Sequence, residues 1–224
     1  MIQQKFAFLE FARPLFSERV ALAWADPRAA MPRLIGDEVL SVEQVSPARA
    51  REFGAGRKAA RDAMELLGHP PRPVLQAEDR APIWPAGLIG SITHSARDCL
   101  AVVSDDPDIR SLGLDIEPLN PVEPALWPEI CTTAEMNWLA TLGPSQRGHF
   151  AKLVFSAKEA VYKAQYPLSR TMLEFHAITL QIDLNEGTFQ ADLNTDVPGF
   201  VTGAAFSGRF AFLSGSLLTG VELR

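Results

Sequence analysis

The sequence has little cysteine and no long hydrophobic run, and both features limit the cellular compartments that we expect for the protein. Its 224 residues include only Cys99 and Cys131, which do not form a CxxC pair, so we expect neither a disulfide framework nor a zinc site. No apolar run approaches the roughly 20 residues that a membrane-spanning helix needs. The beginning, MIQQKFAFLEFARPLF, is interrupted by Glu10 and Arg13 and lacks the apolar centre of a signal peptide. We therefore expect a cytoplasmic protein without a membrane partner.

Positive charge is also scarce. The chain has 21 Lys and Arg residues against 27 Asp and Glu residues, a formal net charge of −6. Proteins that bind nucleic acid usually carry a strongly basic surface, so we expect no nucleic-acid partner. The hydrophobic fraction of 47% is ordinary for a globular protein with a buried core, and the length allows one large domain or two small ones.

The first half of the chain combines one long helix with a set of strands. Residues 1–45 are predicted to contain strand and loop. A helix is predicted after Ser46, which can cap it, with Pro47 at its first position and Gly68 beyond its end. The proline-rich segment 69–87 predicts a loop. The strand patterns LIGSITHS, CLAVVSD and SLGLDIE follow with short connections, which favours an antiparallel meander.

The second half repeats this order. After Pro118 the pattern becomes helical, and Thr132 and Glu135 have the spacing of a capping box. The helix SQRGHFAKLVFSAKEAVYKAQY is predicted to end before Pro167. The strand patterns HAITLQIDL, TFQADL and RFAFLSGSLL come after it, the first two joined by the turn NEG.

This order of elements predicts an α+β protein of two similar lobes, each a small, mainly antiparallel sheet packed on a long helix. We place the lobes at residues 1–112 and 113–224. A cleft between them is the expected position of an active site.

The stretch GLDIEP sets two carboxylates on one face of a predicted strand. Asp115 and Glu117 point to one side, and Leu114 and Ile116 to the other. One interpretation is a half-exposed edge strand whose acidic side chains protect it from aggregation. The other is a pair of oxygen ligands for a hard cation such as Mg²⁺, with Glu159 as a third ligand from the following helix.

The stretch FSAKEAVYKA places Glu159 and Lys163 four residues apart, so that they are neighbours on one face of a helix. A surface ion pair of this kind is common and contributes only about 0.3–0.5 kcal/mol. Taken alone, the motif therefore predicts an ordinary amphipathic helix as readily as a functional site.

Two further features contain groups that could bind phosphate. In GSITHS, Thr93 and His94 lie near the end of a predicted strand, although a single histidine is more often structural. Several basic residues lie on the first long helix and in the loop beyond it. Acidic residues alternate with them, so a solvated helix face and a phosphate-rich ligand are both open. These basic residues are Arg51, Arg57, Lys58, Arg61 and Arg80.

These motifs succeed one another as in the 4'-phosphopantetheinyl transferases, and the sequence resembles the large, two-lobed type of this superfamily. That type activates siderophore and other peptide or polyketide synthetases, and the resemblance is particularly to the enterobactin-synthetase-component branch. It extends from about Arg49 to Lys163 and depends on the arginine-bearing helix, DRAPIWPAGLIGSITHS, GLDIEP and FSAKEAVYKA.

The resemblance implies an activity, a cofactor and a partner. A monomer with pseudo-two-fold symmetry would transfer the phosphopantetheine arm of coenzyme A to a serine of an apo carrier protein. Adenosine 3',5'-bisphosphate would be released, and the reaction would depend on Mg²⁺. The carrier would belong to a fatty acid, polyketide or peptide synthase.

The resemblance also implies roles for individual residues. Asp115, Glu117 and Glu159 would be the Mg²⁺ ligands. Glu159 would also act as the general base, directly or through a metal-bound water, and Lys163 would neutralise charge on the departing phosphate. The residues implied to contact coenzyme A are Arg51, Arg57, Arg80, Thr93, His94, Asp115 and Lys163.

Two residues depart from the family pattern. Phe155 stands where the family usually has Trp, which keeps an aromatic contact. Gly54 replaces a larger apolar residue and is expected to loosen the helix near the arginines, since Gly costs about 1 kcal/mol relative to Ala in a helix.

Two other functions are compatible with the same residues. The first is a nucleotide- or carrier-binding protein that has lost turnover, although four intact acidic and basic site residues argue against it. The second is an unrelated Mg²⁺-dependent phosphohydrolase, which would cleave phosphate esters without a carrier.

Overall fold

The computed structural model describes residues 8–213 and 215–224. The expectation that there is no signal peptide concerns in part residues 1–7, which lie outside the described residues. Across the described ranges, no helix has the length and apolar character needed to cross a membrane. In chain order the elements are β1 (Ala21–Ala25), α1 (Pro47–Leu66), β2 (Leu75–Gln76), β3 (Pro82–Ile83), β4 (Ile89–His94), β5 (Cys99–Ser104), β6 (Ser111–Pro118), α2 (Trp127–Ile130), α3 (Thr133–Thr141), α4 (Pro144–Ser169), β7 (Ile178–Asp183), β8 (Thr188–Leu193), β9 (Ala205–Leu213) and β10 (Ser216–Leu223).

Helix α1 forms where its local sequence signals predict it. Ser46 caps it by accepting a hydrogen bond from the Arg49 backbone, Pro47 occupies the first position, and Gly68 has a positive φ of 82° beyond its end. Its buried face is dominated by small residues, which allows close packing on the sheet β1-β5-β4. Those small residues are Ala55, Ala59, Ala60 and Ala63.

The predicted antiparallel meander is correct for β4 and β5 but wrong for β6. Strand β6 belongs instead to the five-stranded sheet β6-β10-β9-β8-β7, and β1 completes the first sheet. The backbone of β6 is satisfied on its β4 side by hydroxyls. Leu114 N donates to Ser91 Oγ at 3.1 Å, and Ile116 N donates to Thr93 Oγ1 at 3.1 Å. Side-chain acceptors thus replace a continuous ladder between the two sheets.

Three other predictions need correction. Helix α4 continues through Pro167 to Ser169, because a proline in the last turn removes only one backbone donor. The pattern RFAFLSGSLL is not one strand, since β9 and β10 pair as a hairpin with Gly215 at a φ of 85°. The predicted loop 69–87 contains the short hairpin β2–β3.

The α+β class is confirmed, and the capping box of Thr132 and Glu135 is present at the start of α3. Each of the two larger sheets packs on one long helix, α1 or α4. The division into lobes at residues 112/113, and the pseudo-two-fold relation between them, stay predictions.

Gly113 allows β6 to lie directly against α4. A Cβ atom at this position would overlap the carbonyl oxygen of Ala160 and would contact the methyl group of Ala164. Because the obstacle is backbone, it cannot move away cheaply. The restriction at Gly54 is weaker. A Cβ atom there would meet only the side chain of Pro32 and the flexible end of Met31, at 3.0–3.1 Å.

Gly113→Ala should lower the free energy of unfolding by about 1–3 kcal/mol, the usual cost of overpacking a well-packed core. Chemical denaturation measures the change. Gly54→Ala is the matched control and should cost less, because its clash is with a flexible side chain and the helix gains about 1 kcal/mol in propensity. A Gly113→Ala protein as stable as the unmodified chain would contradict this close packing.

Candidate active site

Asp115 is the buried centre of a hydrogen-bond cluster that connects β4, β6 and α4. Its Oδ1 accepts from Lys163 Nζ at 2.6 Å and from Thr93 Oγ1 at 3.3 Å. Its Oδ2 accepts from Ser156 Oγ at 2.8 Å. A buried carboxylate is costly unless donors satisfy it, and these three donors do so. Lys163 is therefore the cation beside GLDIEP in this structure.

The sequence did not identify Ser156 as part of this cluster. Its hydroxyl lies 2.9 Å from Thr219 Oγ1 on β10, and the Thr219 hydroxyl also donates to the Ser156 carbonyl. The available signal was a polar residue among the mainly small and apolar buried side chains of α4.

The other two predicted carboxylates lie in the electrostatic field of Asp115. Burial raises the pKa of Glu117, and the charge of Asp115 adds to it, while Lys152 Nζ donates to Glu117 Oε2 at 3.1 Å. Burial also raises the pKa of Glu159. Lys163 opposes that shift, and Asp115 and Glu117 reinforce it. The charge of Asp115 therefore adds to the cost of ionising both Glu117 and Glu159.

The predicted metal site is not assembled as a coordination shell. Among the residues that the structure describes, no three or more His, Cys, Asp or Glu side chains are grouped closely enough to hold a metal ion. Instead, Asp115 forms an ion pair with Lys163, and Glu117 forms one with Lys152. The donor set nevertheless fits a hard cation, since it offers carboxylate oxygens whose mutual repulsion a cation would relieve. The Mg²⁺ site stays a prediction.

His94 lies at the end of β4 against the first turn of α1. Its Nε2 is 2.7 Å from Arg49 Nη1, and Arg49 also contacts Glu52 at 3.2 Å. Desolvation and the Arg49 cation lower the pKa of His94. The ring is therefore a neutral acceptor toward Arg49, and Arg49 is a site candidate that the sequence analysis did not single out.

The three predicted arginines occupy different environments. Arg57 is buried, and its guanidinium donates to the carbonyls of Val74 at 2.7 Å and Leu75 at 3.3 Å. Burial lowers its pKa to about 10. Arg51 is exposed on α1, whereas Arg80 lies in the turn between β2 and β3. The structure therefore brings Arg80, but not Arg57, toward Lys163.

Two grooves meet at α4. The first, the Lys163 groove, has a volume of about 630 Å³ and is lined by the hairpin, β4 and the end of α4. The second, the Glu159 groove, has a volume of about 750 Å³, and both grooves have mainly apolar linings. Tyr162 lines both. The Lys163 groove includes Arg80, Trp84, Tyr166 and Arg170; the Glu159 groove includes Phe155, Met172, Leu173 and Phe175.

A buried lysine connects the walls of the Glu159 groove. Lys158 Nζ donates to the carbonyls of Ile130 at 2.9 Å and Phe175 at 2.8 Å, both of which line that groove. Its third bond goes to Glu135 Oε2 at 2.7 Å, within the capping box of α3. Both partners are almost fully buried, so this pair supports the groove without facing it.

Two family models match this chain, and both belong to the superfamily that the order of its motifs resembles. Residues 37–104 match the model of the 4'-phosphopantetheinyl transferase N-terminal domain, and residues 111–207 match that of the 4'-phosphopantetheinyl transferase superfamily. The 4'-phosphopantetheinyl transferase Svp of Streptomyces mobaraensis is 38% identical over 195 residues, covering 85% of this chain and 78% of Svp. The chain belongs to the 4'-phosphopantetheinyl transferase superfamily.

Other relatives in this superfamily match over different lengths. The 4'-phosphopantetheinyl transferase Npt of Nocardia iowensis is 35% identical over 185 residues, 77% of this chain and 82% of Npt. Enterobactin synthase component D of Escherichia coli K12 is 41% identical over 118 residues, 52% of this chain and 54% of that protein. The similarity to this superfamily therefore covers most of the chain and is not confined to the four motifs.

Arg49→Ala should raise the pKa of His94 toward its ordinary value, because the mutation removes a cation that opposes protonation of the ring. A titration of the His94 ring signals by NMR measures this pKa. Arg51→Ala is the control on the same helix and should leave it unchanged. An unmodified protein in which His94 titrates at or above the usual pKa of about 6.5 would contradict the described contact.

Proposed function

We propose that this protein transfers the 4'-phosphopantetheine group of coenzyme A to a serine of an apo carrier protein and releases adenosine 3',5'-bisphosphate. The observation that carries the proposal is the Lys163–Asp115 ion pair beside one groove, with Glu159 one helical turn before Lys163 in the neighbouring groove. The relatives named as 4'-phosphopantetheinyl transferases support the same chemistry. We further expect a cytoplasmic monomer whose two lobes flank the cluster around Asp115.

We assign coenzyme A to the Lys163 groove. Its lining combines the cations of Arg80, Lys163 and Arg170 with the rings of Trp84 and Tyr166, which suits the phosphates and the base of a nucleotide. Guanidinium and ammonium groups form charge-assisted hydrogen bonds to phosphate.

We add Thr93, His94 and Arg49 at the neighbouring end of β4 as phosphate contacts, and keep Arg51, which is exposed on α1, as a further candidate. Arg57 is left out of the binding set, because the carbonyls of Val74 and Leu75 already occupy its guanidinium.

We assign the carrier serine to the Glu159 groove. Serine is a poor nucleophile at neutral pH and needs a positioned base. Glu159 lines this groove, and its raised pKa makes it a stronger base than an exposed glutamate. The carboxylate would accept the hydroxyl proton as the serine oxygen bonds to the phosphorus that carries pantetheine. The apolar wall would receive the carrier of a fatty acid, polyketide or peptide synthase.

Lys163 is placed to stabilise the negative charge of the leaving group. As the bond between the two phosphates breaks, negative charge accumulates on the phosphate of the departing adenosine 3',5'-bisphosphate. The Lys163 ammonium lines the nucleotide groove and is held by Asp115 and by the Leu114 carbonyl. Its third and longest bond, 3.4 Å to Thr93 Oγ1, would be exchanged for one to that phosphate.

Asp115, Glu117 and Glu159 would hold Mg²⁺. When bound, Mg²⁺ would neutralise charge on the pyrophosphate of coenzyme A. The raised pKa values of Glu117 and Glu159 support this assignment, because a nearby cation would favour their charged forms.

Incubation with coenzyme A, MgCl₂ and a panel of apo carriers should add the mass of one phosphopantetheine group to a carrier. Asp115→Asn and Glu159→Gln should slow transfer by about 10²–10⁴-fold, the usual contribution of such groups. Glu186→Gln, in the exposed β7–β8 turn, is the charge-matched control and should keep full activity.

Three outcomes would contradict the proposal. Coenzyme A binding without any carrier modification would favour a non-catalytic binding protein. Hydrolysis of coenzyme A without a carrier would favour a phosphohydrolase. Full activity of both Asp115→Asn and Glu159→Gln would refute the assigned roles.

Without Mg²⁺, the carboxyl group of Glu159 should titrate above the ordinary Glu pKa of about 4.3, because burial and the charges of Asp115 and Glu117 disfavour its ionised form. NMR titration of the Glu159 carboxyl carbon measures this pKa. Added MgCl₂ should lower the pKa, because a bound cation favours the carboxylate. A pKa that MgCl₂ leaves unchanged would contradict the proposed role of Glu159 as a ligand.

A further inference from the structure

The turn between β2 and β3 forms one wall of the Lys163 groove, yet the hairpin has little structure of its own. Each strand has two residues, and isolated hairpins of this size are not stable. The turn is closed by two backbone bonds, from Ala77 N to Ala81 O and from Arg80 N to Ala77 O, both 2.9 Å. Its position over the groove therefore depends on contacts with the rest of the chain.

Asp79 supplies such a contact. Its Oδ1 accepts from Ala81 N at 2.9 Å, which braces the turn. Its Oδ2 accepts from Tyr166 Oη at 2.5 Å and lies 3.9 Å from Arg170 Nη1, both at the end of α4. One carboxylate thus joins the turn to α4 across the Lys163 groove.

The residue after this carboxylate has a strained backbone. Arg80 adopts a φ of 68°, in the left-handed region that residues other than glycine seldom occupy. Such strain persists only where the surroundings impose it, and it often marks a functional position. Here the bonds that Ala81 makes with Asp79 and with Ala77 hold the turn that contains Arg80.

We propose that Asp79 is a positioning residue for coenzyme A: it latches the β2–β3 turn to Tyr166 and Arg170 and so keeps Arg80 facing the ligand. This inference rests on the proposed function, since it takes coenzyme A as the occupant of the Lys163 groove. Asp79 does not contact Asp115 or Glu159 and lies outside the lining of the Glu159 groove. It therefore acts on ligand affinity and leaves the chemical step alone.

Asp79→Asn should weaken binding of coenzyme A roughly tenfold, because it replaces the charge-assisted hydrogen bond from Tyr166 with at most a neutral one and removes the attraction to Arg170. Calorimetry without a carrier measures the Kd, and steady-state kinetics should give a matching rise in KM with kcat changed by less than about twofold. Glu78→Gln is the matched control, because it removes the same charge from the neighbouring exposed position. It should leave both values unchanged.

Tyr166→Phe tests the same latch from α4. It should reproduce the loss of affinity, and the double variant should bind no worse than the weaker single variant, because both changes act on the same hydrogen bond between Asp79 and Tyr166. Asp79 is exposed and Tyr166 is only partly buried, so the variants should fold, which circular dichroism verifies.

Equal affinities of Asp79→Asn and Glu78→Gln for coenzyme A would overturn the latch. A fall in kcat at constant KM would also contradict it, and so would fully additive losses of affinity in the double variant. If the unmodified protein modifies carriers while Asp79→Asn binds coenzyme A as well as it does, only the latch fails. If the unmodified protein does not bind coenzyme A, the proposed function and the latch both fail.

Discussion

The burial of one carboxylate, that of Asp115, is the constraint on which the rest of the site depends. A buried carboxylate must be surrounded by donors, and here they come from Thr93 on β4 and from Ser156 and Lys163 on α4. These donors reach it only because β6 lies directly on α4, which requires Gly113. The same cluster therefore joins the two larger sheets and fixes the ammonium group at the junction of the two grooves.

Neighbouring residues on α4 face different surroundings. Lys158 points into the interior, where it satisfies two carbonyls and a carboxylate and so fixes both walls of the Glu159 groove. The next residue, Glu159, faces that groove with a raised pKa. Lys163 follows one turn later on the side of the other groove. A single rigid helix thus holds the structural cation Lys158, the proposed base Glu159 and the proposed phosphate-binding cation Lys163 at fixed separations, as pre-organised electrostatic stabilisation requires.

Local signals in the sequence predicted local structure well. The cap at Ser46 is present where the pattern placed it, and the α+β class is confirmed. The sequence did not predict that β6 changes sheets, because that depends on the hydroxyls of Ser91 and Thr93 as acceptors across a distant contact. Nor did it predict that Arg57 would be buried, since its carbonyl partners belong to a segment expected to be an irregular loop. Long-range pairing of polar groups has no periodic signature along the chain.

The central claim is that the cluster around Asp115 catalyses transfer to a carrier serine and does not catalyse hydrolysis. The most direct test is to quantify adenosine 3',5'-bisphosphate formed from coenzyme A with an apo carrier and with the same carrier lacking its acceptor serine. The account predicts one molecule released for each intact carrier and none with the serine-free carrier. Equal release in both reactions would contradict it.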